Sequence, residues 1–234
     1  MTDAPAGDAD GTGPGTTEPD LWRGHVVIGR SASRICVLDP GDPGRCLKFE
    51  LPPEEQGRTT WRNSLRRRIG RALPYFGYTS AEWRAYCSLR RRLGPVLHRH
   101  VAECFGLLWT PEGVALWSRR IVNEDGTPAR RLHHWLTVER RYRADTLLEA
   151  VDRLEAFLLE HSIPLFDLNT YNLLVCEDAH GQVRLVSADI KSVALGKKLL
   201  PLSRWFPVLM RHKLHRRAAR LRCRIREAPA PADG

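Results

Sequence analysis

No apolar run in the 234 residues approaches the length needed to cross a bilayer, and the first residues lack the charged-then-apolar pattern of an export signal. The expectation is therefore a soluble, cytoplasmic protein. The six cysteines (Cys36, Cys46, Cys87, Cys104, Cys176 and Cys223) are scattered, with no Cys-x-x-Cys pair. That spacing argues against zinc or a disulfide framework and for reduced, mostly buried thiols. There is no array of aromatics for stacking bases and no nucleic-acid reader motif. Acid is missing from one segment only. Residues 190–226 carry 12 Lys and Arg without a single Asp or Glu, whereas residues 1–189 balance 25 against 25. The net charge of +10 therefore belongs to the C-terminal segment and not to the chain as a whole.

What is present fits a globular protein: 42% apolar and 27% charged residues, in a chain long enough for one large domain or two small lobes sharing a cleft. Residues 1–20 hold almost nothing to bury and read as a disordered tail, as do residues 227–234. Strands are predicted at 26–29, 34–38 and 45–49, with a turn at 30–33 and a dense Pro/Gly turn at 39–44. Residues 61–72 are arginine-rich and read as a short basic helix with a solvated face. A helix is predicted over 80–93, with Ser80 as N-cap and Gly94-Pro95 as its stop. Residues 101–109 and 113–122 complete a five-stranded antiparallel sheet, and 123–126 form the turn after it. Residues 143–161 make a clear helix, with Leu147, Leu148, Val151, Leu154, Leu158 and Leu159 along one side. The last helix, 203–226, repeats Phe206, Met210, Leu214, Ala218, Leu221 and Ile225, with arginines elsewhere. Apolar on one side and cationic on the other, it is expected to pack on the second lobe rather than lie on an anionic surface, with an outer face open to acidic lipid, nucleic acid or an acidic partner.

The stretch with most chemical content runs from Ile163 to Ile190. Asp167 and Asn172 stand five apart in a polar loop fed by the 143–161 helix. A strand, 173–176, leaves directly from Asn172. After a hairpin turn at 179–182, a second strand, 183–186, returns Asp189 towards the first two residues. Asp-x-x-x-x-Asn alone is an ordinary turn. With the helix before it and the second acid behind a hairpin, it reads as an oxygen-donor site for Mg²⁺ shared with nucleotide phosphates. Protein-kinase-like enzymes order their residues in this way: a loop Asp facing the acceptor hydroxyl, an Asn for metal, and a further Asp for metal. Upstream, Lys48 on the third strand points away from Leu47 and Phe49. It reads either as an edge-strand lysine or as the phosphate-orienting lysine, with Glu82 on the following helix as its partner. The glycine loop is reduced to Gly29, followed by Ser31 and Ser33. His133, His134 and His161 read as ordinary surface or interface histidines.

Three runs carry a family resemblance: Pro40 through Lys48, Glu82 through Leu93, and Asp167-Leu-Asn-Thr-Tyr-Asn172-Leu-Leu-Val. Together with the ending from Asp189 into the basic helix, they resemble the PhoP regulatory network protein YrbL family over roughly residues 22–222. The resemblance implies a small two-lobed kinase-like fold and a link to a regulatory network. Two departures from active kinases stand out. Leu165-Phe166 replaces His-Arg before the loop Asp, and Asp189-Ile190-Lys191 replaces Asp-Phe-Gly. Asn169 also stands where a catalytic-loop lysine or arginine is usual.

The sequence thus predicts an α+β, two-lobed, protein-kinase-like chain. Its antiparallel N-lobe would span 21–122 and its mainly helical C-lobe 123–226. The expected activity is ATP- and Mg²⁺-dependent phosphoryl transfer to an unidentified small-molecule or protein acceptor. Asp167 would be catalytic; Gly29, Ser31, Ser33, Lys48 and Glu82 would bind nucleotide; Asn172 and Asp189 would bind metal. All would converge on one crevice. The alternative is a pseudokinase acting as a regulatory binding module. A third expectation is contact with an anionic surface through residues 191–226.

Overall fold

A computed structural model of the chain describes residues 20–55, 77–178, 180–190 and 207–229. It sorts into two compact units, Met1–Trp83 with Cys104–Arg120, and Arg84–Glu103 with Ile121–Gly234. The arginine-rich run 61–72, the tail 1–19 and Lys191 lie outside the described residues.

The first unit is an antiparallel sheet of six strands, one more than the sequence predicts. Its strands are β1 (Leu21–Trp22), β2 (His25–Ser31), β3 (Arg34–Asp39), β4 (Asp42–Glu50), β5 (Cys104–Thr110) and β6 (Gly113–Arg119), in the order β1-β2-β3-β4-β6-β5. The added strand is the two-residue β1, which folds back on β2 through Arg23-Gly24, both at positive φ. Two residues are too short for an alternation to show in the sequence. One face of the sheet buries Trp22, Ile35, Val37, Leu47, Phe49, Leu51 and Ala115, with Trp22 and Phe49 ring centroids 5.1 Å apart. Side chains alternate along a strand, so the residues between these point to the opposite face.

Helix α1 (Tyr78–Leu93) begins two residues before the predicted cap. Its N-terminus is capped from a distance: Thr79 donates its backbone N–H to Glu50 Oε1 at 2.9 Å and its hydroxyl to the same oxygen at 3.3 Å. A carboxylate at this end also complements the helix dipole. Ser80 therefore falls inside the first turn. The helix stops where predicted, at Gly94, whose φ of +61° is the left-handed position that favours glycine.

The second unit is built on helices α2 (Leu132–Thr137), α3 (Ala144–Glu160) and α4 (Pro207–Glu227), with a small sheet of β7 (Arg130–Arg131), β8 (Leu173–Glu177) and β9 (Val183–Ser187). Leu147, Ala150, Val151, Leu154, Phe157 and Leu158 give α3 its buried side. Helix α3 packs against β9 and α4, and α4 answers with Met210, Leu214, Ala218, Leu221 and Ile225. Arg222 locks the pair by donating from Nε to Asp152 at 2.8 Å and by pairing with Glu155. The strand predicted from Val101 instead starts at Cys104. Val101 forms a parallel bridge to Ser187, and Ala102 N–H donates to Ser187 O at 3.0 Å, so residues 101–102 belong to the second unit's sheet edge.

His100 sits at that junction. Its Nδ1–H donates to Leu185 O at 2.8 Å, and its ring lies 4.9 Å from Phe157. Burial pushes its pKa down to about 4, with Arg184, Arg99 and Arg153 adding to the effect and the Leu185 bond opposing it. The folded state therefore holds a neutral ring where the unfolded chain would already be protonated. Stability is full above about pH 6.5 and falls as pH drops towards 4. Urea unfolding across this window should show a loss on the order of 3 kcal/mol, and His100→Gln should remove most of that acid dependence. An unchanged acid limb in the variant would count against the buried neutral histidine.

Candidate functional site

In the first unit the polar face of the sheet gathers Arg34, Cys36, Cys46, Lys48 and Glu50, which all alternate with core residues. Register sets Cys36 opposite Lys48, Arg34 opposite Glu50, and Lys48 opposite Leu116. Glu82, on the first turns of α1, is buried at 1% exposure and accepts an ion pair from Arg34. Burial opposes the charge on Lys48, but the Glu82 carboxylate, aided by Cys46, Cys104 and Cys36, more than offsets it and drives the lysine pKa upward. Lys48 is therefore a permanent cation, and Glu82 serves two cations at once. The Cys46 thiol is pulled down to about 6, chiefly by its hydrogen bond with Cys36, with Lys48, Ser118 and Arg120 helping and burial resisting. Gly29 lies at the register shift between β2 and β3. Ser31 and Ser33 flank the tight turn that follows, where Ser31 Oγ donates to Arg34 O at 3.3 Å.

In the second unit the polar loop after α3 is organised by Asn169. Its Nδ2 donates to Asp167 Oδ1 at 2.8 Å, and its Oδ1 accepts the backbone N–H groups of Tyr171 at 2.9 Å and Asn172 at 3.0 Å. A single amide thus orients the aspartate and tightens the turn that aims Asn172. Asn172 Nδ2 donates back to Asp167 O at 3.4 Å. Strand β8 leaves from Asn172, the Asp178-based turn carries Gly181 at φ +72°, and β9 returns. Ala188 N–H donates to Asn172 O at 3.3 Å, so Asp189 follows directly on the residue tied to Asn172. Ser187 Oγ donates to Asp189 O at 3.0 Å and holds that turn. The structure therefore brings Lys48 and Glu82 together in one unit, and Asp167, Asn172 and the backbone carrying Asp189 together in the other.

The parts follow one another in the order the sequence predicts: a lysine on the antiparallel sheet, a helix glutamate, an Asp/Asn loop, then the acid after a hairpin. The sequence model of the family described as PhoP regulatory network protein YrbL matches residues 22–226. The chain belongs to that family. No curated protein matches it. Among solved structures it is similar to one described as a co-crystal structure of WbdD and the kinase inhibitor LY294002. The identity is 16% and the TM-score 0.44, over 81% of this chain and 44% of that one. At that level the likeness decides nothing about chemistry. The fold observed in this YrbL-family chain is mixed α+β, with the antiparallel sheet early and helices later, as its sequence predicts.

The donors fit a hard cation. Asp167, Asn172 and Asp189 offer oxygen only, and Asp167 Oδ2 takes no hydrogen bond from a described residue. Among the described residues no three His, Cys, Asp or Glu side chains gather to hold a metal by themselves. Mg²⁺ suits such a partial set, because it keeps waters and completes its shell with phosphate oxygens.

Two residues that organise the candidate site are not predicted by the sequence pattern. Arg34 was visible in principle, since it lies two residues before Cys36 on the same face. Asn169 was noted only as a missing lysine, although its spacing from Asp167 is that of a local side-chain-to-backbone turn. Glu82→Ala should leave Arg34 and Lys48 as half-buried like charges and cost on the order of 2–3 kcal/mol in denaturant unfolding. Adding Arg34→Met should recover part of that loss. Strict additivity of the two substitutions would show that the pair is not coupled.

Proposed function

We propose that this YrbL-family chain is an ATP- and Mg²⁺-dependent phosphotransferase acting on a hydroxyl acceptor. The observation that supports the reading is the loop of the second unit, where Asn169 fixes Asp167 and Asn172 while the β8–β9 hairpin returns to Asn172 through Ala188, the residue before Asp189. Lys48, kept cationic by Glu82, would hold the α- and β-phosphates, and the turn amides near Gly29, Ser31 and Ser33 would meet phosphate oxygens. Asp167 would accept the acceptor's hydroxyl proton as the oxygen takes the γ-phosphoryl group and ADP leaves. Asn172 and Asp189 would hold Mg²⁺, which neutralises phosphate charge. Catalysis would rest on positioning and charge more than on covalent chemistry.

A second reading, a pseudokinase used as a binding module, is favoured by one observation. Arg34 already occupies the Glu82 carboxylate, so the lysine-orienting acid is shared. Leu165-Phe166 before Asp167 and Ile190 after Asp189 point the same way.

Calorimetric titration of the full chain with ATP and Mg²⁺, followed by γ-phosphate turnover, separates the two. Turnover that falls at least about 100-fold in Asp167→Asn while nucleotide affinity stays within about threefold supports transfer. Binding without turnover in the parent supports the module. Absence of binding removes transfer and leaves a module that uses no nucleotide.

A further inference from the structure

Helix α4 is held by one side and offers the other to solvent. Its buried ladder, Met210 to Ile225, faces α3, and Arg222 is consumed by Asp152 and Glu155. The remaining arginines are not so used. Arg211, Arg216, Arg220, Arg224 and Arg226 are exposed, and among the described residues none of them meets a carboxylate. Arg224 and Arg226 have a local reason to be there, since cations in the last turn complement the helix dipole. The others work against the helix. Arg211 lies near the N-terminal, positive end, where the first turn carries no acid. Arg216 and Arg220 stand four residues apart, where like charges repel, and Arg224 adds a third charge at the same spacing despite its favourable place in the last turn. A row that opposes its own helix calls for an anion from outside the molecule.

The kind of anion is set by what lies beside the arginines. Val208 is 76% exposed and Leu209 47% exposed at the start of α4. The helix has no Phe, Tyr or Trp with which to stack a base. Exposed aliphatics beside a cationic row fit a surface that has both phosphate and hydrocarbon. At 21 residues the helix is roughly 30 Å long, enough to lie flat across several headgroups.

We propose that the second unit docks on an anionic lipid bilayer through the outer face of α4. Val208 and Leu209 enter the headgroup boundary, and the arginine row rests on lipid phosphates. The helix lies on the surface and does not span it; no helix among the described residues is long and apolar enough to cross a membrane. Docking would not leave the Asp167 loop remote, because Lys213 Nζ on α4 sits 3.8 Å from the ring centroid of Phe166, the residue before Asp167. The inference does not depend on phosphoryl transfer.

The test is co-sedimentation of the full chain with vesicles of phosphatidylcholine alone and of equimolar phosphatidylcholine and phosphatidylglycerol. Binding is expected only to the anionic vesicles, and raising salt should weaken it about tenfold or more. R216E/R220E/R224E should lose roughly 100-fold in affinity, and R216K/R220K/R224K should stay within about threefold of the parent. Val208→Ser with Leu209→Ser should weaken vesicle binding while leaving the salt response. Thermal melts establish that each variant folds. Should the glutamate variant not fold, the lysine variant and the salt series on the parent still decide. Equal binding to neutral vesicles, indifference to salt, or loss of binding in the lysine variant would each overturn the proposal. So would tighter binding to a short duplex DNA that ignores Val208 and Leu209, which would reassign the face to nucleic acid.

Discussion

A buried carboxylate is tolerable only when cations come to it, and the polar face of the first unit is arranged around that requirement. Glu82 is almost wholly shielded from water, with Arg34 paired to it and Lys48 kept protonated by it. Glu50 uses the same face to cap the Thr79 amide and hydroxyl in the first turn of α1. The start of the helix is therefore fixed to the sheet by charge at two points, while the apolar face packs Phe49, Ile35 and Leu47 without polar help. Strand alternation makes this division possible: each core residue on β3 and β4 is followed by one that must face the carboxylate side.

The second unit solves a different problem, that of holding a polar loop rigid without burying it. Asn169 does so by spending one amide on Asp167 and on the amides of Tyr171 and Asn172. The returning strand β9 is backed by α3, whose buried side reads largely from its leucines. The edge residues His100 to Ala102 tie into Ser187, so the hairpin end bearing Asp189 is bonded on both sides of its chain. Rigidity here comes from backbone groups satisfied by neighbours, which is what a site working by positioning needs.

Much of this was legible from residue order. The α3 leucines, the β8–β9 hairpin and the stop at Gly94 follow from periodicity and turn chemistry, and Lys48 had to oppose Leu47 and Phe49. Family membership agrees with the three runs that carried the resemblance. Three features were not legible. Strand β1 is two residues long and shows no alternation. The α1 cap comes from Glu50, 29 positions away. The strand expected from Val101 begins at Cys104 because Val101 and Ala102 pair with Ser187 within the second unit.

The sequence by itself determined where most of the helices and strands run, which side of each is apolar, and that all basic excess lies in the C-terminal segment, because these are properties of neighbours along the chain. Tertiary structure alone decided that Glu82 is shared between Arg34 and Lys48, that Asn169 governs the Asp167 loop, and which arginines of α4 are paired and which face outward. Those are matters of distance between residues far apart in order or of hydrogen-bond direction within a turn. Neither is written in a periodicity.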